Sequence, residues 1–289
     1  MARQGITGYL RTLLVLGRVS NLPTVWSNCL AGWILGGAGP VDRLALVATG
    51  ATLLYLAGMY FNDAFDASFD RQHRPERPIP SGAIGGTAVW QWALVWFSAG
   101  LACLWPLGTI PAILGTLLAA SIFVYDAIHK IFAFSPLLMA GCRFFLVLLA
   151  ASVGDQGVTG LAMWSALALA AYVIGLSFIA QRESTHMALR YWPVLLLLSP
   201  LILAAIIDTG PFQTVGIALA LMLIVWIFRS MRFAFGPGQR NIGRAVSSLL
   251  AGIALVDALA VVPGATWSAI VFATFFLLAL IFQQFIPAT

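Results

Sequence analysis

Apolar residues run on in stretches too long for strands and too uniform for amphipathic surface helices, and short polar segments interrupt them from end to end. Ten candidate spans follow from that pattern, at about 19–38, 43–62, 88–107, 109–125, 132–153, 158–179, 191–207, 212–229, 245–262 and 266–286. A helix needs about 17–25 predominantly apolar residues to cross a bilayer, and the seventh and eighth runs are the short ones. The pattern predicts an all-α polytopic membrane bundle of nine or ten helices, forming one domain over residues 1–289. The first run is long and lacks a small-residue cleavage site, so a cleaved leader is not expected.

Composition strengthens this picture. Hydrophobic residues make up 61% of the chain and charged residues 9%, whereas soluble domains carry about 25% charged residues. Cys29, Cys103 and Cys142 all fall inside predicted spans. They read as buried apolar side chains, not as a disulfide framework or a metal site. Gly32 and Gly36 have the GxxxG spacing that lets helices pack closely.

Charge then orients the bundle. Thirteen of the fifteen Lys and Arg residues fall on one side of the predicted spans, with Arg43 opposite and Arg143 inside the fifth. The positive-inside rule makes that side cytoplasmic. The expectation is an integral protein of a cytoplasmic membrane, the inner membrane of a bacterium, with its N-terminus and active site facing the cytoplasm. The opposite loops hold little besides Asp42, Arg43, Asp155 and Asp208. The net charge of +5 is thus a topology signal. Nucleic-acid binding is excluded, since no basic patch interleaved with aromatics lies on a soluble domain.

The densest charge follows the second span, in FNDAFDASFDRQHRPERPIPSG, residues 61–82. Asp63, Asp66 and Asp70 share one face at 3.6 residues per turn. Like charges so spaced repel, and a divalent cation resolves the conflict. Carboxylate oxygens suit Mg²⁺, which takes one or two carboxylates together with substrate phosphates. Asn62 adds a further oxygen. Arg71, His73, Arg74 and Arg77 suit phosphate oxygens that the metal leaves uncovered. The plain alternative is a solvated helix end in which acids and bases neutralise one another.

N-D-x-x-D-x-x-x-D followed by Arg77-Pro78-Ile79-Pro80-Ser81-Gly82 closely resembles the first signature of the UbiA superfamily of intramembrane prenyltransferases. Arg18-Val19-Ser20-Asn21 at the first span, and Tyr125 and Lys130 after the fourth, extend the resemblance. It implies an all-α membrane fold, usually of nine helices, in which Mg²⁺ bridges an isoprenyl diphosphate to two facing Asp-rich motifs. The implied reaction is loss of diphosphate and capture of the allylic cation by an aromatic or other membrane-soluble acceptor. The implied metal ligands are Asn62, Asp63, Asp66, Asp70 and Glu183. Asn21, Asn62, Arg71, Arg77, Lys130 and Arg182 would bind substrate, and Lys130 and Glu183 would join the three aspartates in catalysis.

One departure stands out. Where the family carries its second Asp-rich motif, this chain reads SFIAQRESTHMALRYW, residues 177–192, with Glu183 and His186 but no aspartate. Glu183 could complete a reduced metal site beside Arg182. The chain could equally bind prenyl lipid without efficient turnover, as a lipid-handling or precursor-export component, or use another phosphorylated lipid. Gln181-Arg182-Glu183-Ser184 resembles the divergent EboC-like branch of the superfamily.

Four further polar residues remain. Lys130 is expected either to bind diphosphate, as the resemblance implies, or to snorkel to the interface; Asp126, at i−4, could simply pair with it, and His129 reads as a bystander. Arg143 is deep in the fifth span, where a charge is by default a functional hypothesis. A structural Arg143–Asp257 ion pair is the competing expectation, since Asp257 is the other charge deep in a span.

Overall fold

The computed structural model describes residues 6–132, 134–185, 191–235, 240–262 and 268–288, excluding the side chains of residues 6–7 and 182–185. Thirteen α-helices are described, and no strand occurs among these residues. They are α1 Ile6–Leu16, α2 Leu22–Leu35, α3 Val41–Phe65, α4 Ala67–His73, α5 Gly86–Leu104, α6 Thr109–Ile128 and α7 Ser135–Ala151. The rest are α8 Gly160–Thr185, α9 Trp192–Leu196, α10 Ser199–Ile207, α11 Gln213–Phe235, α12 Ile242–Val261 and α13 Ser268–Phe285. Seven of them are long and apolar enough to cross a membrane. The remaining candidate spans coincide with α2, α7 and the α9–α10 pair.

The seventh span is therefore two short helices. Pro200, at the start of α10, has no backbone N–H to continue α9. Ser199 seals the break, its hydroxyl donating to the carbonyls of Leu196 and Ala168 at 2.7 and 2.8 Å. On α8, Gly175 leaves room for the neighbouring α9 backbone: a Cβ there would lie 2.6 Å from the carbonyl oxygen of Pro193.

Two helices are additional to the predicted spans. Residues 6–16 form α1, separated from α2 by a backbone reversal at Arg18, whose φ of 39° lies in the left-handed region. α4 continues from α3 past Asp66, which caps both helices.

Four packing regions build the bundle among the described residues, the last of them joining α2, α7, α8, α12 and α13. One joins α8, α11 and α12, where the buried Tyr172 hydroxyl donates to the Leu249 carbonyl at 2.9 Å. A second joins α2, α3, α6 and α7. A third packs α1 and α5 against the lower half of α3. The glycine pair serves the close approach that its spacing predicted. A Cβ on Gly32 would collide with the Val147 carbonyl, and one on Gly36 with that of Ala151. α2 and α7 are thereby pressed together, which fixes the polar residues they carry.

Candidate active site at the helix ends

α3 ends, α6 ends and α2 begins at the same face of the bundle, and the polar cluster forms where they meet. Asp63, Asp66 and Asp70 are 6%, 7% and 2% exposed, so a solvated helix end is not what the fold builds. Burial of ionised carboxylates demands partners, and bases from three separate segments supply them.

The Arg18 Nη2 donates to Asn62 Oδ1 and Asp63 Oδ1, both at 3.2 Å. Its left-handed backbone conformation disfavours a side chain by about 1–2 kcal/mol, and the Tyr55 hydroxyl holds its carbonyl at 3.1 Å. Arg77 Nη1 reaches Asp63 Oδ1 at 3.0 Å and Asp70 Oδ2 at 3.4 Å. The proline-rich segment that delivers Arg77 is folded into turns, with Ser81 N–H on the Arg77 carbonyl and Ala83 N–H on that of Pro78. Lys130 Nζ lies 2.8 Å from Asp66 Oδ1 and 3.7 Å from the centre of the Phe69 ring.

The three acids are thus not equivalent. The helix turns at Asp66, dividing the run between α3 and α4, so Asp63 and Asp70 share Arg77 while Asp66 faces α6. Burial alone would raise the Asp66 pKa, but hydrogen bonds from His129 and Lys130 outweigh it and hold the carboxyl below its ordinary value. Asp70 goes the other way: burial holds its pKa above the ordinary value, with Arg77 offsetting only part.

Several expectations are corrected. Lys130 pairs with Asp66, not with Asp126. His129 is no bystander, since its Nε2 lies 3.5 Å from Asp66 Oδ2. Asp126, 3% exposed, instead accepts from Asn62 Nδ2 at 3.3 Å and keeps Oδ2 buried without a hydrogen-bond partner. Asn62 is therefore engaged at both ends, its carbonyl oxygen accepting from Arg18 and its amide donating to Asp126, with a second lone pair left on the oxygen. Arg71 is exposed on α4 and makes no ion pair among the described residues. His73 stacks on Phe69 at 4.1 Å, away from the acids. Asn21 is buried next to Arg18; its amide donates to the Ala288 carbonyl at 2.9 Å, while its Oδ1 is buried without a hydrogen-bond partner. The backbone of α8 continues through Arg182 and Glu183, whose side chains lie outside the described residues, as does His186.

The expected Arg143–Asp257 ion pair is absent among the described residues. Arg143 Nη1 donates to Asn28 Oδ1 at 2.7 Å, and Asn28 Nδ2 donates to Asp257 Oδ2 at 2.7 Å. Ser27 also donates to Asp257 Oδ2. An amide on α2 thus separates the two charges, and no local spacing in the sequence signals that arrangement.

The donor set fits a magnesium ion held jointly with a ligand. Among the described residues, no three His, Cys, Asp or Glu side chains converge to form a cage of their own. Asp70 Oδ1 is nevertheless buried without a hydrogen-bond partner. Hard oxygen donors, few in number and incompletely matched, suit a cation that completes its shell from diphosphate.

Residues 21–234 match the family model described as "UbiA prenyltransferase family". The digeranylgeranylglyceryl phosphate synthase of Ignicoccus hospitalis is 37% identical over 95 residues, covering 32% of this chain and 31% of that protein. The chain's matches thus span about a third of the length of such curated relatives. Among solved structures, one concerned with digeranylgeranylglyceryl phosphate synthase in membranes superposes with a TM-score of 0.61 at 17% identity, covering 94% of this chain and 98% of the other. A UbiA homolog from Archaeoglobus fulgidus bound to GPP and Mg²⁺ gives 0.53 at 15% identity, covering 96% and 97%.

Proposed function

Since the chain belongs to the UbiA prenyltransferase family, we propose that it transfers an isoprenyl group from a prenyl diphosphate to a membrane-soluble acceptor, with Mg²⁺ as cofactor. The observation that carries this reading is the buried cluster itself: Asp63, Asp66 and Asp70 held by Arg18, Arg77 and Lys130, with one Asp70 oxygen unmatched. The relative named as a synthase of a phosphate-bearing glyceryl lipid and the homolog bound to GPP and Mg²⁺ support it. Those names favour a lipid acceptor over an aromatic one.

Asp63, Asp66 and Asp70 would hold the metal, which supplies Lewis-acid neutralisation of the departing diphosphate. Arg18 and Arg77 each engage the acids through one terminal nitrogen, leaving their other N–H donors for phosphate oxygens. Lys130 holds Asp66 ionised. Cleavage of the allylic C–O bond sends the electron pair out with diphosphate, and the acceptor's nucleophile forms the new bond at that carbon while losing its proton. Fixed positive charge at the leaving oxygen stabilises the transition state. The apolar bundle keeps water from the cation. The excess of bases at this end supports a cytoplasmic orientation of the site.

A lipid-handling component of EboC-like type is the second reading, and the Gln181-Arg182-Glu183-Ser184 sequence favours it. Diphosphate release separates the two. Purified protein in lipid nanodiscs, given allylic diphosphates and a lipid extract, should release diphosphate with Mg²⁺ and not with EDTA. Tight Mg²⁺-dependent binding without release would move the assignment to lipid handling.

A further inference from the structure

Arg143 lies eight residues into α7, about 12 Å along the helix at 1.5 Å per residue, yet it remains partly accessible. Three contacts engage its terminal nitrogens: Nη1 donates to the Thr24 carbonyl at 3.1 Å and to Asn28 Oδ1 at 2.7 Å, and Nη2 donates to Thr24 Oγ1 at 3.0 Å. A guanidinium has five N–H donors in a planar fork. The Nε–H and the second Nη2–H have no partner among the described residues, and those two hydrogens lie side by side on one edge. That edge has the geometry that grips a carboxylate or phosphate bidentately.

A purely structural arginine at such depth would be expected to use every donor, because no water compensates an unmatched one. Here the opposite edge is firmly fixed. Asn28 passes the charge to Asp257, which Ser27 also binds, so three helices hold the guanidinium in one orientation. A chain of hydrogen bonds also links it to the acid cluster. Thr24 donates to the Asn21 carbonyl at 2.8 Å, Asn21 N–H to the Arg18 carbonyl at 3.0 Å, and Arg18 reaches Asp63.

From this we infer that Arg143 is the acceptor's anchor: its free Nε/Nη2 edge binds an oxyanion, carboxylate or phosphate, carried by the acceptor inside the bundle. The inference rests on the transfer reading above and adds the charge of the acceptor and the residue that reads it. Bound there, the anion would set the nucleophile's distance from the diphosphate site, and neutral lipids would lack the anchor.

The test is equilibrium binding to the full chain in nanodiscs, with two oxyanion probes and their uncharged counterparts. One pair is 4-hydroxybenzoate and 4-hydroxybenzamide; the other is a monoalkyl glyceryl phosphate and the corresponding monoalkyl glycerol. One oxyanion should bind wild type about tenfold or more tighter than its counterpart, the scale of a charge-assisted bidentate pair. Which pair shows the preference identifies a carboxylate or a phosphate source. The preference should vanish in Arg143→Gln and fall in Arg143→Lys, which keeps the charge without the fork, while Mg²⁺-dependent binding of geranylgeranyl diphosphate is retained. No oxyanion preference in wild type overturns the inference whether or not the variants fold, and so does a preference that survives Arg143→Gln. Failure of wild type to bind the diphosphate would instead count against the transfer reading, leaving the acceptor arm to be judged separately.

Discussion

The molecule contains two relays of the same composition, and their difference separates rigidity from readiness. Near the helix ends, Arg18, Asn62 and Asp126 are joined through the asparagine amide at 3.2 and 3.3 Å. In the interior, Arg143, Asn28 and Asp257 are joined the same way at 2.7 and 2.7 Å. The interior carboxylate has a second donor in Ser27, whereas Asp126 Oδ2 has none. Deep in the bundle, an unmatched carboxylate would be severely penalised, so that relay is short and closed at its acidic end. At the helix ends the bonds are longer and the acid is half-matched, an arrangement that would leave these groups free to adjust to the diphosphate of the proposed reaction.

The largest expected effect tests the outer region. Asp66→Asn should lower Mg²⁺-dependent diphosphate release by about 100-fold or more, the scale of losing one charge-stabilising group from an active site. Wild-type release from that variant would remove Asp66 from the metal site. The interior relay is broken by Asn28→Ala, which leaves Asp257 with one donor fewer. It should lower the unfolding free energy by about 1–3 kcal/mol, the cost of stranding a buried polar group. Thermal melting in nanodiscs reads this directly, and an unchanged midpoint would mean that the amide bridge is dispensable.

A double-mutant cycle sharpens the contrast. Asn28 and Asp257 should couple by about 0.5–3 kcal/mol, as residues within one hydrogen-bond network do, and by more than Asn62 and Asp126. Equal coupling would erase the distinction drawn from the bond lengths. The smallest effect concerns Asp70, whose pKa burial holds above the ordinary 3.8. A carboxyl raised in the folded state is protonated more readily there than in the unfolded chain. Its ionised form therefore opposes folding at neutral pH, and that opposition fades as pH falls through the raised value. Asp70→Asn should accordingly melt at or above wild type near pH 7, with the gap closing in acid, while losing Mg²⁺-dependent diphosphate binding. A clear drop in the neutral-pH midpoint would show that the Arg77 contact outweighs burial.

What could be read from the sequence was whatever depends on neighbours along the chain. Ten apolar runs gave the positions of the helical segments, because span length is a local property. Gly32 and Gly36 marked a packing face for the same reason. The acid motif was legible too, though not the turn at Asp66 that divides it. Partner choice across helices was not legible. Lys130 is four residues from Asp126 but joins Asp66, since the end of α6 lies against the α3–α4 junction. Asn28 carried no signal as a bridge: only the pressing of α2 on α7, and of α12 on α2, brings Arg143 and Asp257 to its two sides. α1 escaped the span pattern because it is short and ends at Leu16, just before Arg18, whose backbone reversal is a tertiary outcome.

The length of α2 has a consequence for how a lipid arrives. Fourteen residues at 1.5 Å each reach about 21 Å, against roughly 30 Å of hydrocarbon in a typical bilayer. Ten of the fourteen residues of α2 are buried against neighbouring helices and its glycines lock it to α7, so its short length is matched by protein and not by lipid. The acid cluster at its first turn is likewise enclosed by protein, with Asp63, Asp66 and Asp70 at 6%, 7% and 2% exposure. On the transfer reading above, an isoprenoid chain entering sideways from the acyl layer would keep its tail in oil, and only its polar end would reach the enclosed cluster.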